Sequence, residues 1–152
     1  FPDGWVAIAR ADPYRVDWLA PNGEMVRGAP LPFERRAVNE REQRAILRRE
    51  ADRTGRPPRE PESVADWPAS LPPFLAGSVA AAPDGRLWIW RYLGADDERT
   101  TYEIIDRRGV LAARLTMMPN EDLAGFGRAS LYTVLTDDDG LQWLRRHPLP
   151  RF

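Results

Sequence analysis

The chain restates a turn. Pro2-Asp3-Gly4-Trp5 and Pro83-Asp84-Gly85-Arg86-Leu87-Trp88 each set a tight turn directly before an aromatic-rich apolar run, and Leu75-Ala76-Gly77 is echoed at Leu123-Ala124-Gly125. A unit of turn plus strand that recurs along a sequence cannot bury its apolar face alone, so it restricts the chain to architectures in which neighbouring copies stack.

The segments between the turns read as strands. From Trp5 to Leu31 the apolar runs are Trp5-Val6-Ala7-Ile8, Val16-Asp17-Trp18-Leu19 and Met25-Val26 onward, broken at Asp12-Pro13 and Asn22-Gly23. Asn-Gly between apolar runs is a strong hairpin signal, because both residues tolerate the positive φ of a type I′ turn. Three antiparallel strands are expected there. From Ser78 the grammar returns with one more strand in front: Ser78 to Ala81, Leu87 to Trp90, Tyr102 to Ile105, the Arg108-Gly109 turn, and Leu111 to Met117. Setting Gly23 on Gly109 aligns Val16 with Tyr102 and Trp18 with Ile104, which puts apolar residues on matching faces at the strand period of two. A third unit opens at Ala124-Gly125-Phe126-Gly127-Arg128-Ala129, continues through Leu131 to Leu135, turns at Asp137-Asp138-Asp139-Gly140 and resumes at Leu141 to Leu144. The expected division is a three-strand unit over 1–32, an insertion over 33–74, a four-strand unit over 75–118 and a three-strand unit over 119–152.

The insertion breaks the β pattern. From Glu34 to about Arg53 the residues are charged helix formers with few apolar positions, stopped by Gly55 and Pro57-Pro58, which predicts a helix lying solvated on the surface rather than one that binds a partner. Arg56 to Pro73 holds six prolines, a composition for an extended or irregular tether.

Composition narrows the function classes. With 22 basic against 23 acidic side chains the net charge is −1, so the basic surplus that drives nucleic-acid binding is missing and no nucleic-acid partner is expected. All the basic residues are Arg, which carries no functional weight beside a coding bias. Zero cysteines exclude a disulfide framework, a thiolate metal site and a cysteine nucleophile. No apolar stretch approaches the roughly 18 residues of a bilayer span. The start at Phe1, directly before a turn and a strand, suggests a processed or partial piece of a longer polypeptide.

Four-stranded units introduced by Asp-Gly-x-x-Trp, with Gly before the last strand, resemble the blades of a β-propeller of the six-bladed NHL or TolB-like group. The residues carrying the likeness are Pro83 to Ile89, the Tyr102 to Asp106 strand, Arg108-Gly109 and the weaker copy from Pro2 to Leu31. The fold class is thus all-β: propeller blades with a helical, proline-rich insertion. First strands of blades crowd the central axis and favour small side chains, as in Ala76 to Ala82 and Ala124 to Ala129. Two and a half blades do not close a ring, so the remaining ones come from a longer chain or from self-association. A secreted or periplasmic location is in keeping with the resemblance.

Antiparallel connectivity decides which loops share an end. The turns at Pro83-Asp84-Gly85 and Arg108-Gly109 fall at one end; the loops at Asp12, at Asp96-Asp97-Glu98 and at Asp137-Asp138-Asp139 fall at the other, together with the insertion. The resemblance places a binding site at that second end, near the channel mouth, for a protein or small-molecule ligand. Candidate contacts are Asp96, Asp97, Asp137 and Asp138. An acidic cluster can take Ca²⁺ through oxygen ligands, but Asp is also a turn former that bonds its own backbone, and no spacing matches a dedicated calcium loop, so no metal and no cofactor is assigned. Arg128, charged amid small residues on an expected channel-lining strand, is either a ligand contact or part of an ion pair. Trp67, alone in the tether, either meets a ligand or staples the insertion down. No catalytic residue is assigned: His147 is the only histidine, an exposed strand residue by its position, and no nucleophile elbow or paired-His motif occurs. The expected function is a non-catalytic binding or protein-interaction scaffold; the alternative is part of a hydrolase or lactonase-type propeller enzyme with catalytic residues mostly in other blades.

Overall fold

One tight loop recurs five times in the computed structural model, four times between paired strands and once ahead of the first strand; the structure describes residues 1–96 and 99–152. In each, a residue's carbonyl accepts the N–H of a glycine three positions on: Phe1 and Gly4, Ala20 and Gly23, Ala82 and Gly85, Asp106 and Gly109, Asp137 and Gly140, at 2.9–3.1 Å. The same residue's nitrogen donates to the carbonyl one position further, at 2.8–3.0 Å. All five glycines have φ between +74 and +86°. This is the three-residue hairpin loop, a type I turn followed by one left-handed residue. Asn22 keeps a negative φ, since Asn120 is the one non-glycine residue with positive φ among those described; the type I′ turn expected at Asn22-Gly23 is therefore corrected to this wider loop. Asx side chains fasten the loops, Asn22 Oδ1 taking the Glu24 N–H at 3.0 Å and Asp106 Oδ1 taking those of Arg108 and Val110 at 2.9 and 3.0 Å.

Among the described residues the strands between these loops form three antiparallel sheets, and the fold is all-β with one α-helix. The first sheet holds β1 (Val6–Ala11), β2 (Tyr14–Leu19) and β3 (Met25–Val26). The second holds β4 (Val79–Ala81), β5 (Leu87–Trp90), β6 (Thr101–Ile105) and β7 (Leu111–Thr116). The third holds β8 (Glu121–Phe126), β9 (Ser130–Thr136) and β10 (Gln142–Pro148). Strands are ordered in space as in sequence.

The sheets pack face to face, and alternation along each strand decides which neighbour a residue meets. Leu87, Ile89 and Ile105 of the middle sheet bury against Tyr14, Val16 and Trp18 of the first. Trp88, Tyr102 and Ile104, on the opposite face, bury with Leu131, Leu123 and Phe126 of the third. Trp88 meets Phe126 edge-on with ring centroids 5.1 Å apart. The middle sheet is thus covered on both faces, which is why β5, Leu87-Trp88-Ile89-Trp90, is a continuous apolar run.

Helix α1 (Glu40–Thr54) starts six residues later than the composition predicts. Asn39 is the cap, its side chain accepting the Glu42 N–H at 3.0 Å, while the residues before it pair with the tether: Val38 N–H with Ala69 O and Leu71 N–H with Arg36 O, around a bridge from Ala37 to Ser70. Gly55, left-handed at φ 67°, ends it. The helix is not simply solvated, for Glu42, Leu47 and Ala51 are buried. Glu42 bonds Tyr92 Oη at 2.6 Å and the Ala95 N–H at 2.9 Å, anchoring the helix to the loop between β5 and β6.

Candidate functional site

A cleft of about 700 Å³ opens between the first strands of the second and third sheets, in the size range of ligand sites. Its walls are Gly77 to Ala80, in and just before β4, and Asp122 to Gly125 of β8. Both strands are sheet edges, hydrogen-bonded on one side only. Small side chains bring the walls close without filling the space between them. A register shift between Leu123 and Gly125 marks a bulge in the β8 wall, a device that re-aims side chains beside sites. Trp90 and Tyr102 supply the aromatic lining, and Arg49 and Asp52 reach in from α1. Arg99, Asn120, Thr136 and Gln142 complete the rim. A smaller hollow of about 230 Å³ adjoins under α1, sharing Arg49, Ser78 and Trp90 and adding the apolar Ile46, Leu75 and Ala76.

Charges in the cleft are held by neighbours. Asp122 accepts the Thr100 hydroxyl at 2.9 Å. Arg49 lies over the Tyr92 ring, 4.8 Å from its centroid. Burial pushes the Tyr102 phenol up to about 12, against the opposing pull of the Leu123 N–H on its oxygen. Tyr102 therefore stays a neutral donor across physiological pH. Nothing in this set pairs a nucleophile with a base, and among the described residues no group of three or more His, Asp or Glu side chains is placed to hold a metal. The cleft is built to bind by aromatic contact, hydrogen bonds and mixed charge.

Against the residues singled out from the sequence, the placement is uneven. The acidic loops do meet the insertion: Asp12 pairs with Arg35 at 2.6 Å and Asp96 pairs with Arg41. Asp97 lies outside the described residues. Asp137 turns its carboxylate inward to the Asp139 and Leu141 N–H groups and to Trp143 Nε1, at 2.8–3.1 Å; the Trp143 contact leads the set that holds it below the usual carboxylate range. It is a turn residue of β9–β10. Asp138 is exposed on the same turn. Arg128 is not on a channel-lining strand, because β8 begins at Glu121 and ends at Phe126, so Arg128 sits exposed in the turn to β9. Trp67 Nε1 donates to Pro61 O at 3.1 Å, which makes it the staple of the tether. None of the described ones among these residues lines the cleft.

Sequence reasoning missed the cleft residues themselves, although one signal pointed to them. The echo Leu75-Ala76-Gly77 and Leu123-Ala124-Gly125 brackets the site: the second copy and Gly77 line the cleft, and Leu75 and Ala76 line the adjoining hollow. His147 lies elsewhere, with Nε2 at 3.1 Å from Thr133 Oγ1 and 3.4 Å from Glu121 Oε1. Thr133 gives its one proton to Glu121 at 2.6 Å, so it accepts from His147. That hydroxyl holds the Glu121 carboxyl below its ordinary value against desolvation, with His147 adding to the effect. Thr133 is fully buried, so the relay ties three strands together and offers no nucleophile.

Comparison of the chain with protein-family models, with curated proteins and with solved structures finds no match.

Proposed function

We propose that the chain is a segment of a β-propeller of the six-bladed NHL or TolB-like kind, acting as a non-catalytic binding scaffold whose ligand enters the cleft between β4 and β8. The observation that carries the reading is the cleft itself: a space of about 700 Å³ walled by two first strands of small residues, where neighbouring blades converge on an axis. Three sheets packed face to face in sequence order, each turned by the same hairpin loop, support the propeller part. Mixed charge from Arg49, Asp52, Arg99 and Asp122 beside Trp90 supports a polar ligand of small-molecule or peptide size.

Ligand-observed NMR with a library of polar fragments tests this. Binders are expected, and Ala124→Trp, which fills the space beside an exposed wall residue, should weaken them at least tenfold with the melting temperature unchanged. Fragments that bind the variant as well as the parent chain, or no binders at all, would overturn the cleft as the site.

A further inference from the structure

Two edge strands wall the cleft, and they differ in how much of their backbone is already bonded. In an antiparallel ladder, alternate residues turn both backbone groups toward the neighbouring strand, and the residues between them turn theirs outward. Trp90 N–H bonds Ser78 O and Ala82 N–H bonds Arg86 O, with Ala80 opposite Trp88 midway between. Val79 and Ala81 therefore direct their N–H and C=O groups away from β5, to the open edge of the sheet. Among the described residues nothing hydrogen-bonds to those groups, and Val79 lines the cleft.

On β8 the same count puts Glu121 and Leu123 at the outward positions, because Thr136 N–H bonds Asn120 O. Both amides are taken. Glu121 N–H bonds Met118 O at 3.2 Å, and Leu123 N–H bonds the Tyr102 phenol oxygen. The bulge after Leu123 then interrupts the strand. Across the third sheet, β10 carries Arg145, Arg146 and Pro148, residues of the kind that blunt an exposed edge. β4 consists of Val79, Ala80 and Ala81 and has no such guard.

Side-chain direction joins this edge to the cleft. Ala80 shares its face with Trp88 and Ile104, the face turned to the third sheet. In a strand laid beside β4, the residue opposite Ala80 lies on that same face and points into the cleft. A methyl group at position 80 leaves that side chain room beside Trp90 and Tyr102.

We propose that the ligand of the cleft is a peptide in extended conformation, which adds to β4 as a further strand through the Val79 and Ala81 backbone groups and seats a side chain in the cleft. In strand addition of this kind, main-chain hydrogen bonds supply affinity and the pocket for alternate side chains supplies selectivity. The inference rests on the cleft being the binding site, and it narrows the ligand from polar molecules in general to peptides.

A library of capped hexapeptides, screened on the 152-residue chain beside the polar fragments, tests it. The tightest hexapeptide is then remade with N-methyl groups on alternate amides, once in each of the two registers. Only alternate amides of an added strand face β4, so one register should lose at least tenfold in affinity and the other little. Ala81→Pro removes an outward N–H and no bond to β5, at a residue that does not line the cleft. It should weaken the hexapeptide at least tenfold and leave fragment binding unchanged, and bound hexapeptide should slow amide exchange at Val79 and Ala81 in the parent chain. Fragments that bind while no hexapeptide does, or a hexapeptide that N-methylation affects alike in both registers, would overturn the added strand and leave the cleft standing. The cleft itself fails separately, through fragments that ignore Ala124→Trp.

Discussion

Glu103→Ala is expected to cost about 3–5 kcal/mol of folding stability, the range for removing one partner of a buried ion pair. Glu103 is 2% exposed in the middle of β6, and both its oxygens are committed. One takes Tyr14 Oη at 2.6 Å and an Arg91 nitrogen at 2.7 Å; the other takes Arg114 Nε at 3.0 Å. Burial pushes the Tyr14 phenol up and the Glu103 carboxylate, as its acceptor, pushes it further, so Tyr14 is a donor at any working pH. Alanine would leave the buried Arg91 guanidinium, stacked 4.7 Å from the Tyr14 ring centroid, with the Pro73 carbonyl as its remaining acceptor among those described. The cost is that of an unpaired interior charge. Asp17→Ala is the internal comparison: Asp17 is also 2% exposed and its loss frees the buried Gly28 N–H and Arg15, but Arg10 is 46% exposed and open to water, so a smaller cost of about 1–3 kcal/mol is expected. Urea unfolding midpoints at constant m-value check both. Equal losses at the two positions would contradict the buried network between the first two sheets.

Gly109→Ala is expected to cost about 3 kcal/mol or more. About 1–2 kcal/mol of that is the price of a Cβ at φ +74°. The remainder is steric, in the range of core overpacking: a Cβ there would lie 2.3 Å from the Gly28 Cα and 2.7 Å from the Val16 carbonyl oxygen. Both are backbone atoms, so relief requires the first and second sheets to part. Gly140→Ala separates the two contributions, since Gly140 has φ +77° with nothing within 4 Å of its Cβ position, and it should lose the backbone part alone. Calorimetric melting of the pair checks this. Equal destabilisation at the two glycines would mean that the sheets are not in contact at Gly28 and Gly109.

The strands and their grouping were legible because turn chemistry and period-two alternation are local. Pro83-Asp84-Gly85 predicts its hairpin from three residues, and Leu87-Trp88-Ile89-Trp90 reads as a strand without knowledge of what covers it. The functional side chains are set by pairings that no local pattern contains. Glu103 meets Tyr14 across 89 positions of sequence, and a carboxylate between apolar neighbours gives no sign of two arginines folded over it. Arg128 falls outside its expected strand for a related reason: small residues over 124–129 suit a first strand, but β8 ends at Phe126 and β9 starts at Ser130, which leaves half of them in a loop. Asp137 illustrates the opposite case, in which the local rule that Asp bonds its own turn was the better guide than the clustering of three acids. The helix start was hidden because the residues before Asn39 take their partners from the tether some thirty positions on.

Native-state hydrogen exchange decides whether the middle sheet is enclosed between the other two. Amides in β5 and β6 lie beneath apolar clusters on both faces and should open only with global unfolding, exchanging at least tenfold more slowly than those of the edge strands β1 and β10. Rates in β5 and β6 no slower than at those edges would show that one face of the middle sheet is open to water, and the stacked arrangement would be wrong.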